Sequence, residues 1–374
     1  MTAKNKTTPW VRLGDYIEEC DERNVEAQSL PFYGINKEKT FMPTVADTNQ
    51  LDNSKYKVVG QGVFVFSGMQ TGRDQCIRLA LREDKSPVLI SPAYTTFKIK
   101  DEGKLLPEYL FIFFKREEMD RYGAFLSDGS IRSNLDWDRF CDIRIPLPSP
   151  KVQQELVDTY TGLKRLAEEN EALIAPLTEA CQAFIVDCQK KYPTVELGKY
   201  IEECDERNTE GRSYSFLGIN KDKTFMPTHA NTNELDNTKY KIVSKGIFAF
   251  SGMQTGRDIC IRIALYDKDK PALVSPAYTT FKIKSPKLLS EYLFLQFKRS
   301  EMDRYGWYLS DSSVRSNLDW ERFTNIQVPL PPPEVQQSIV NLYHCIEEAK
   351  KIASEARVQL QTLCPALIQY AEHN

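Results

Sequence analysis

The segment Ser67-Gly-Met-Gln-Thr-Gly-Arg-Asp74 sets an amide, a hydroxyl and a guanidinium between two glycines. Gln70 carries a donor and an acceptor side by side, the pattern that pairs with an adenine edge, and Arg73 carries the fork that pairs with guanine. Gly68 and Gly72 would let the backbone approach a groove closely, and Ser67, Met69 and Thr71 complete the loop. The same loop recurs, residue for residue, as Ser251, Gly252, Met253, Gln254, Thr255, Gly256 and Arg257. Its plainer reading is a surface turn in which Arg73 pairs with Asp74.

Two further groups could meet a nucleic acid. Arg132, Ser133 and Asn134 run into Leu135-Asp136, and the spacing from Ser133 to Asp136 is that of a capping box opening a short helix. A helix N-terminus beside an arginine can hold a phosphate, although a cap can also serve the fold alone. The copy is Arg315, Ser316 and Asn317. Tyr94, Thr95 and Lys98 lie on an alternating run after Ser91-Pro-Ala, repeated as Tyr278, Thr279 and Lys282. Alternation turns part of such a run to the core and part to solvent or ligand.

Catalytic chemistry fares worse. Glu18-Glu-Cys-Asp-Glu22 and its copy Glu202–Glu206 look like paired carboxylates, yet no base or metal ligand accompanies them. They read as a solvated helix face, or as a surface kept away from phosphate. Ser91-Pro-Ala-Tyr94 approaches the Asp/Asn/Ser-Pro-Pro-Tyr/Phe motif of amino-methyltransferases, but the second proline is alanine in both copies. Gly60-Gln-Gly62 is the nearest glycine loop for a methyl donor, and its counterpart Ser244-Lys-Gly246 loses the first glycine. No G-x-x-x-x-G-K-[ST] loop for ATP is present. The chain reads as a reader, with no metal and no catalytic group of its own.

The elements that must position these residues come in duplicate. Leu13-Gly-Asp-Tyr-Ile-Glu-Glu-Cys-Asp-Glu-Arg-Asn24 returns as Leu197–Asn208, and Ser91–Lys100 returns as Ser275–Lys284. One residue is lost near Lys104 and Lys287, after which Arg132–Trp137 matches Arg315–Trp320. A repeat this long is a whole domain rather than a solenoid unit. Short β-type runs punctuated by Gly, Pro, Asn and Asp fill residues 9–148 and 193–331, among them Val58-Val59, Val63–Phe66, Val88–Ile90 and Thr95–Ile99. Helices are expected around Pro107–Met119 and Asp136–Phe140.

After Pro148 and Pro331 the pattern changes. Apolar residues recur at Val152, Leu156, Tyr160, Leu163, Leu166, Leu173, Leu177, Cys181, Phe184 and Cys188. The second series is Val335, Ile339, Leu342, Ile346, Ala349, Ile352, Ala356, Leu360, Leu363 and Leu367. Gaps of three, four and seven mark a coiled-coil seam, and Pro176 and Pro365 should kink or end the helices. The expected architecture is α+β: two similar mixed domains, residues 1–148 and 193–331, separated by two long antiparallel helices, residues 149–192 and 332–374, with pseudo-two-fold symmetry.

Composition bounds the rest. The 374 residues, 41% hydrophobic and 27% charged, suit two to three globular domains at about 150 residues each and exclude a disordered tail or a collagen-like fibre. No apolar run nears the ~18 residues of a membrane span, Tyr109–Phe114 being the best. The polar start Met1-Thr-Ala-Lys-Asn-Lys-Thr-Thr lacks a secretory segment, so the expected compartment is the cytoplasm, with no membrane partner. Nine cysteines without a C-x-x-C pair, and only His229, His344 and His373, exclude a zinc-site pattern and suggest reduced thiols. Cys181 and Cys188 should face a partner helix. Lys plus Arg total 49 against 52 Asp plus Glu, a net charge of -3, so duplex binding would need local patches or positive surface borrowed from a partner.

Taken together, these residues resemble the specificity subunit of type I restriction-modification enzymes. The likeness covers nearly the whole chain in the order recognition domain, helix, recognition domain, helix. Its most specific part is Asp128-Gly-Ser-Ile-Arg-Ser-Asn-Leu-Asp-Trp followed by Ile145-Pro-Leu-Pro-Ser-Pro-Lys-Val-Gln-Gln-Glu-Leu-Val157. The counterpart is Ser310-Asp-Ser-Ser-Val-Arg-Ser-Asn-Leu-Asp-Trp320 followed by Val328–Val340. Here the recognition domains are themselves duplicates, a departure from the dissimilar pair common in the family. The resemblance implies a double-stranded DNA site in two halves, two methyltransferase subunits on the helices, and restriction (motor-nuclease) subunits. S-adenosylmethionine, ATP and Mg would then belong to those partners and none to this chain. From a different class, a coiled-coil interaction protein or an orphan homologue that retargets or inhibits a methyltransferase would carry the same helices; methyl-donor binding by the chain alone would revive a third reading, a self-contained methyltransferase.

Overall fold

The computed structural model describes residues 8–45, 51–228 and 235–373. The polar N-terminal start and His229 lie outside the described residues, as do the side chains of Pro365 and Leu367. The chain divides into two compact units, Met1–Asn170 with Ile352–Asn374, and Glu171–Lys351.

In the first unit, one sheet orders the strands Ile17–Glu19, Thr95–Ile99, Phe64–Ser67 and Arg78–Leu81, all antiparallel. A second orders Phe41–Pro43, Phe32–Ile35, Val88–Ile90 and Lys57–Val59, with the middle pair parallel. Alternation explains the layering, because successive side chains leave a strand on opposite faces. Phe64 and Phe66 enter one core with Leu79, Leu81 and Phe97, whereas Val65 and Ala80 between them enter another with Ile35, Val88 and Ile90. The first sheet is thus buried on both faces, by the second sheet on one and by helices on the other. Those helices are α1 (Thr71–Asp74), α2 (Pro107–Phe114), α3 (Glu117–Leu126) and α4 (Trp137–Cys141). Phe140 stacks on Phe66 at 4.3 Å between ring centroids.

The long helix α5 spans Pro150–Lys191. Its start is tied to the unit by Gln153, which is fully buried. The Gln153 Oε1 accepts from the Leu106 N–H at 2.8 Å, while Nε2 donates to the carbonyls of Lys104 and Pro148 at 2.8 and 2.9 Å. The Val-Gln-Gln signature is therefore a clasp between domain and helix.

The second unit repeats this plan. Its first sheet holds Ile201–Cys204, Thr279–Ile283, Phe248–Ser251 and Arg262–Leu265. Its helices are α6 (Thr255–Asp258), α7 (Ser290–Phe297), α8 (Ser300–Leu309), α9 (Trp320–Thr324) and α10 (Pro333–His373). Gln336 forms the same clasp to Leu289, Lys287 and Pro331. Cys181, Ile185 and Cys188 of α5 are buried in the same core as Ile339, Val340 and Ile346 of α10. Each unit takes the opposite ends of the two long helices: the first has the start of α5 and the end of α10, the second the converse.

Several expectations need correction. Of the kink or end expected at each proline, the end does not occur: α5 runs through Pro176, flanked by Ile174 and Leu177 packed on the core, and α10 runs through Pro365. Leu166 and Leu173 are exposed, and Ala167 is buried in their place, as the 3.6-residue period carries the seam off a strict heptad. Glu18–Glu22 and Glu202–Glu206 are not helical. Ile17–Glu19 and Ile201–Cys204 are strands whose adjacent carboxylates, Glu18 with Glu19 and Glu202 with Glu203, are exposed. Among the described residues no helix is long and apolar enough to cross a membrane, and no cluster of His, Cys, Asp or Glu is built to hold a metal.

Candidate nucleic-acid interface

Two of the three residue groups come together in each unit. The loop leaving strand Phe64–Ser67 is zipped to the loop between α3 and α4 by backbone pairing. The Leu135 N–H donates to the Gly68 carbonyl at 2.8 Å, and the Gly72 N–H to the Ser133 carbonyl at 2.9 Å. Between them the Gln70 N–H donates to the Asn134 Oδ1 at 2.9 Å. Only glycine allows this approach: a Cβ on Gly68 would lie 1.7 Å from the Leu135 carbonyl oxygen, and one on Gly72 would lie 2.0 Å from the Ser133 Oγ. The second unit reproduces the zipper through Gly252 with Leu318, Gly256 with Ser316, and Gln254 with Asn317.

The α3–α4 loop is organised around a carboxylate. Asp128 Oδ1 accepts from the Ser130 N–H, the Ser130 Oγ and the Asn134 N–H. The side-chain and backbone hydrogen bonds from Ser130 hold its pKa below the usual carboxylate range. Ser133 sits in the left-handed region at φ 51° and donates its hydroxyl to the Asp128 carbonyl. It is not a helix cap. Asp136 caps α4, accepting from the Arg139 N–H at 2.9 Å, and its own charge leaves no anion position there. The capping box and its phosphate position are corrected accordingly, and likewise for Ser316, with Asp319 as the cap of α9.

Beneath the zipper lies a buried ion pair that the sequence reading missed. Lys39, 5% exposed, places Nζ 2.7 and 2.8 Å from the two oxygens of Asp120 on α3. Asp120 Oδ1 also accepts from the Ile77 N–H at 2.8 Å. Lys223, Asp303 and Ile261 repeat the arrangement at 2.8 Å. Beside each pair lies a thiol, Cys76 or Cys260, which burial pushes up in pKa. The loop therefore stands on a rigid post joining the second sheet, α1 and α3.

What remains free defines the surface. Ser67 and Thr71 are buried, and the Asn134 amide oxygen is spent in the zipper, so these residues build the loop. Ser251, Thr255 and Asn317 do the same. Met69 and Met253 are exposed, and Gln70 and Gln254 are half-buried, held at φ 60° and 58° with no partner for the side-chain amides among the described residues. Arg73, Arg132, Arg257 and Arg315 are exposed and have no hydrogen bond or ion pair among the described residues. Asp74 does not take Arg73; it pairs with Lys37 and Arg78. Burial pushes its carboxyl up, and the hydrogen bond from Lys37 and the charge of Arg78 more than offset this, holding it below the usual range.

The third group does not join them. Thr95 lies opposite Phe66, next to the root of the loop, as Thr279 lies opposite Phe250. Tyr94 packs on the inner face of the second sheet with its hydroxyl toward Gly34, as Tyr278 does toward Gly218. Lys98 lies about 10 Å further along the strand and pairs with Glu18 at 3.2 Å; Lys282 pairs with Glu202 at 3.0 Å. Exposed aromatic side chains lie instead on α3 and α8. Phe125 stacks with Tyr122, and Tyr308 with Tyr305; Trp307 on α8 is exposed, as are Ile131 and Val314 on the loops that follow α3 and α8. Their signal in the sequence was an aromatic pair on a strongly charged helix, Glu-Met-Asp-Arg-Tyr-Gly, that offers it no apolar stripe to join.

Residues 197–357 match the family described as "Type I restriction modification DNA specificity domain". The fold is similar to the S subunit of a type I restriction-modification system from M. genitalium, at a TM-score of 0.59 and 11% identity, over 100% of this chain and 98% of that one. The HsdS subunit from Thermoanaerobacter tengcongensis is 17% identical over 99% of this chain and 97% of that one, at a TM-score of 0.44. No curated protein sequence matches the chain.

Proposed function

We propose that the chain is the DNA-reading subunit of a type I restriction-modification complex: residues 197–357 match the type I restriction modification DNA specificity domain, and the first unit repeats their sequence. Residues 1–148 and 193–331 would each read one half of a split duplex site, and residues 149–192 and 332–374 would set the unread gap. Because the loop Ser67–Arg73 is identical to Ser251–Arg257, both domains should favour the same core bases, giving an inverted repeat. Adenine methylation and ATP-driven cleavage would be the work of two methyltransferase subunits and of restriction subunits in the cytoplasm. Their positive surface would compensate the net charge of -3.

The observation that carries this reading is the pair of unpaired arginines on each glycine-zipped loop, Arg73 with Arg132 and Arg257 with Arg315. A fork held out on a rigid turn and left unneutralised is suited to a base edge or phosphate. Arg73→Ala and Arg257→Ala should each weaken specific duplex binding by about 1–3 kcal/mol, read by titration of a labelled duplex carrying the preferred site. Binding unaffected by either change would remove the loop from the interface, and a chain that selects no duplex sequence in any complex would leave the interaction-protein reading in its place.

A further inference from the structure

The two copies of the interface share a backbone but differ in exposed side chains around the zipper. Gln75 is replaced by Ile259, and Ala124 by Trp307. Ile259 closes α6 at φ 47°, ψ 48°, with its side chain 47% exposed. A β-branched residue in the left-handed region is a conformational outlier, and folding alone favours Gly or Asn at such a helix end. Half exposed, the isoleucine recovers little of that cost by packing. Trp307, 53% exposed, stands one turn beyond Asp303 on the same side of α8. Asp303 holds the Ile261 N–H, and Gly306 next to the tryptophan sits against Ile261 and Thr255. Trp307 therefore flanks the stretch that carries Ile259. Arg257 and Arg315 stand on the two zipped loops with their charges unneutralised. An apolar pair placed beside free cations suits a partner with a polyanionic backbone and apolar groups between its charges.

We propose that Ile259 and Trp307 give the second unit a base preference that the first lacks. They present apolar surface to a thymine C5-methyl group where Gln75 presents an amide to an adenine edge. This rests on the reading of both units as duplex readers. The shared loop sets the bases common to the two half-sites, and the pair at 259 and 307 makes one flanking position differ, so that the inverted repeat is imperfect.

The test selects random duplexes on the full chain, isolated from its own cells with what it binds there, and reads the enriched sequences. The wild-type chain should enrich two half-sites that share their core and differ at one flanking position. The double variant Ile259→Gln with Trp307→Ala should convert the second half-site to the first, lowering preference for the original base about tenfold or more. Gln75→Ile with Ala124→Trp should do the reverse. The common core bases persist in both variants and show that each still folds. A wild-type motif whose halves are already identical, unchanged by either double variant, overturns the inference and leaves the duplex reading standing. A wild-type chain that enriches no motif overturns both.

Discussion

Arg82 in the first unit and Tyr266 in the second occupy the same place and make the same bond with different chemistry. Arg82 donates from Nε and Nη2 to the Ser86 carbonyl at 3.2 and 2.7 Å, and Tyr266 donates its hydroxyl to the corresponding Lys270 carbonyl. The guanidinium lies over the rings of Tyr33 and Phe41; the phenol meets Phe225 edge-on at 5.3 Å. In this corner the bond is kept and the residue is not. At the exposed end of α1 and α6 the reverse holds. The backbone is kept, with φ 49° at Gln75 and 47° at Ile259, while the side chains share no chemistry. Buried differences are compensated, because an unmet polar group costs about 1–3 kcal/mol. Exposed differences meet no such constraint. The surface is therefore where two copies of one scaffold can come to differ in chemistry.

The largest test of that contrast is at the buried posts. Asp120→Asn would leave the Lys39 ammonium buried without its counter-charge, and Asp303→Asn would do the same to Lys223. Removing one partner of such a pair costs about 3–5 kcal/mol; the lower end is expected here because both carboxylates keep some exposure, 19% and 18%. Urea unfolding of the full chain should show losses alike at the two posts. A large loss at one and none at the other would mean that the two interiors have diverged and that the kept geometry is incidental.

A smaller effect sharpens the surface side. Ile259→Gly removes a left-handed β-branched residue and should stabilise the second unit by about 1 kcal/mol, the scale of the left-handed penalty less the lost packing and the added freedom of the unfolded chain. Gln75→Gly should gain less, since its unbranched side chain sits more easily at φ 49°. Thermal unfolding of both variants checks the order. An isoleucine whose replacement destabilises the chain would be there for packing, and its exposure would carry no functional meaning.

The duplication and the strands were legible because both are local. Identity between copies needs no structure, and Val63–Phe66 alternates around a sheet buried on both sides. The close-packed turn at Gly68 and Gly72 was legible from its glycines. What escaped depended on partners distant in sequence. Glu18 lies on a strand only because Thr95–Ile99 pairs with it. Lys39 reads as a surface lysine until Asp120 meets it. Ser133 and Asp136 both suit a cap, and the zipper to Gly72 draws Ser133 out of the helix, leaving the cap to Asp136. Tyr94 and Lys98 shared a run with Thr95, but the pleat and the pairing with Glu18 direct them elsewhere.

The smallest expected effect falls on the loop the two units share most closely. Side-chain and backbone hydrogen bonds from Ser130 lower the Asp128 pKa; those from the Ser313 side chain and the Asn317 backbone lower that of Asp311. A carboxyl whose folded pKa lies below its unfolded value, about 3.9 for Asp, stabilises fully above that value and loses its contribution as pH falls through the folded pKa. The zipped loops should accordingly be indifferent to pH from 7 to about 5 and loosen only in more acid solution. Amide exchange at Asn134 and Asn317, whose N–H groups donate to these carboxylates, reads the loosening directly. Asp128→Asn should abolish it in the first unit and leave it in the second. The loops differ only at Gly129 against Ser312 and Ile131 against Val314 between the aspartate and the arginine, so their acid transitions should coincide. If they separate, Ser312 or Val314 alters the loop itself, and the difference between the two units would begin at the turn rather than at Ile259 and Trp307.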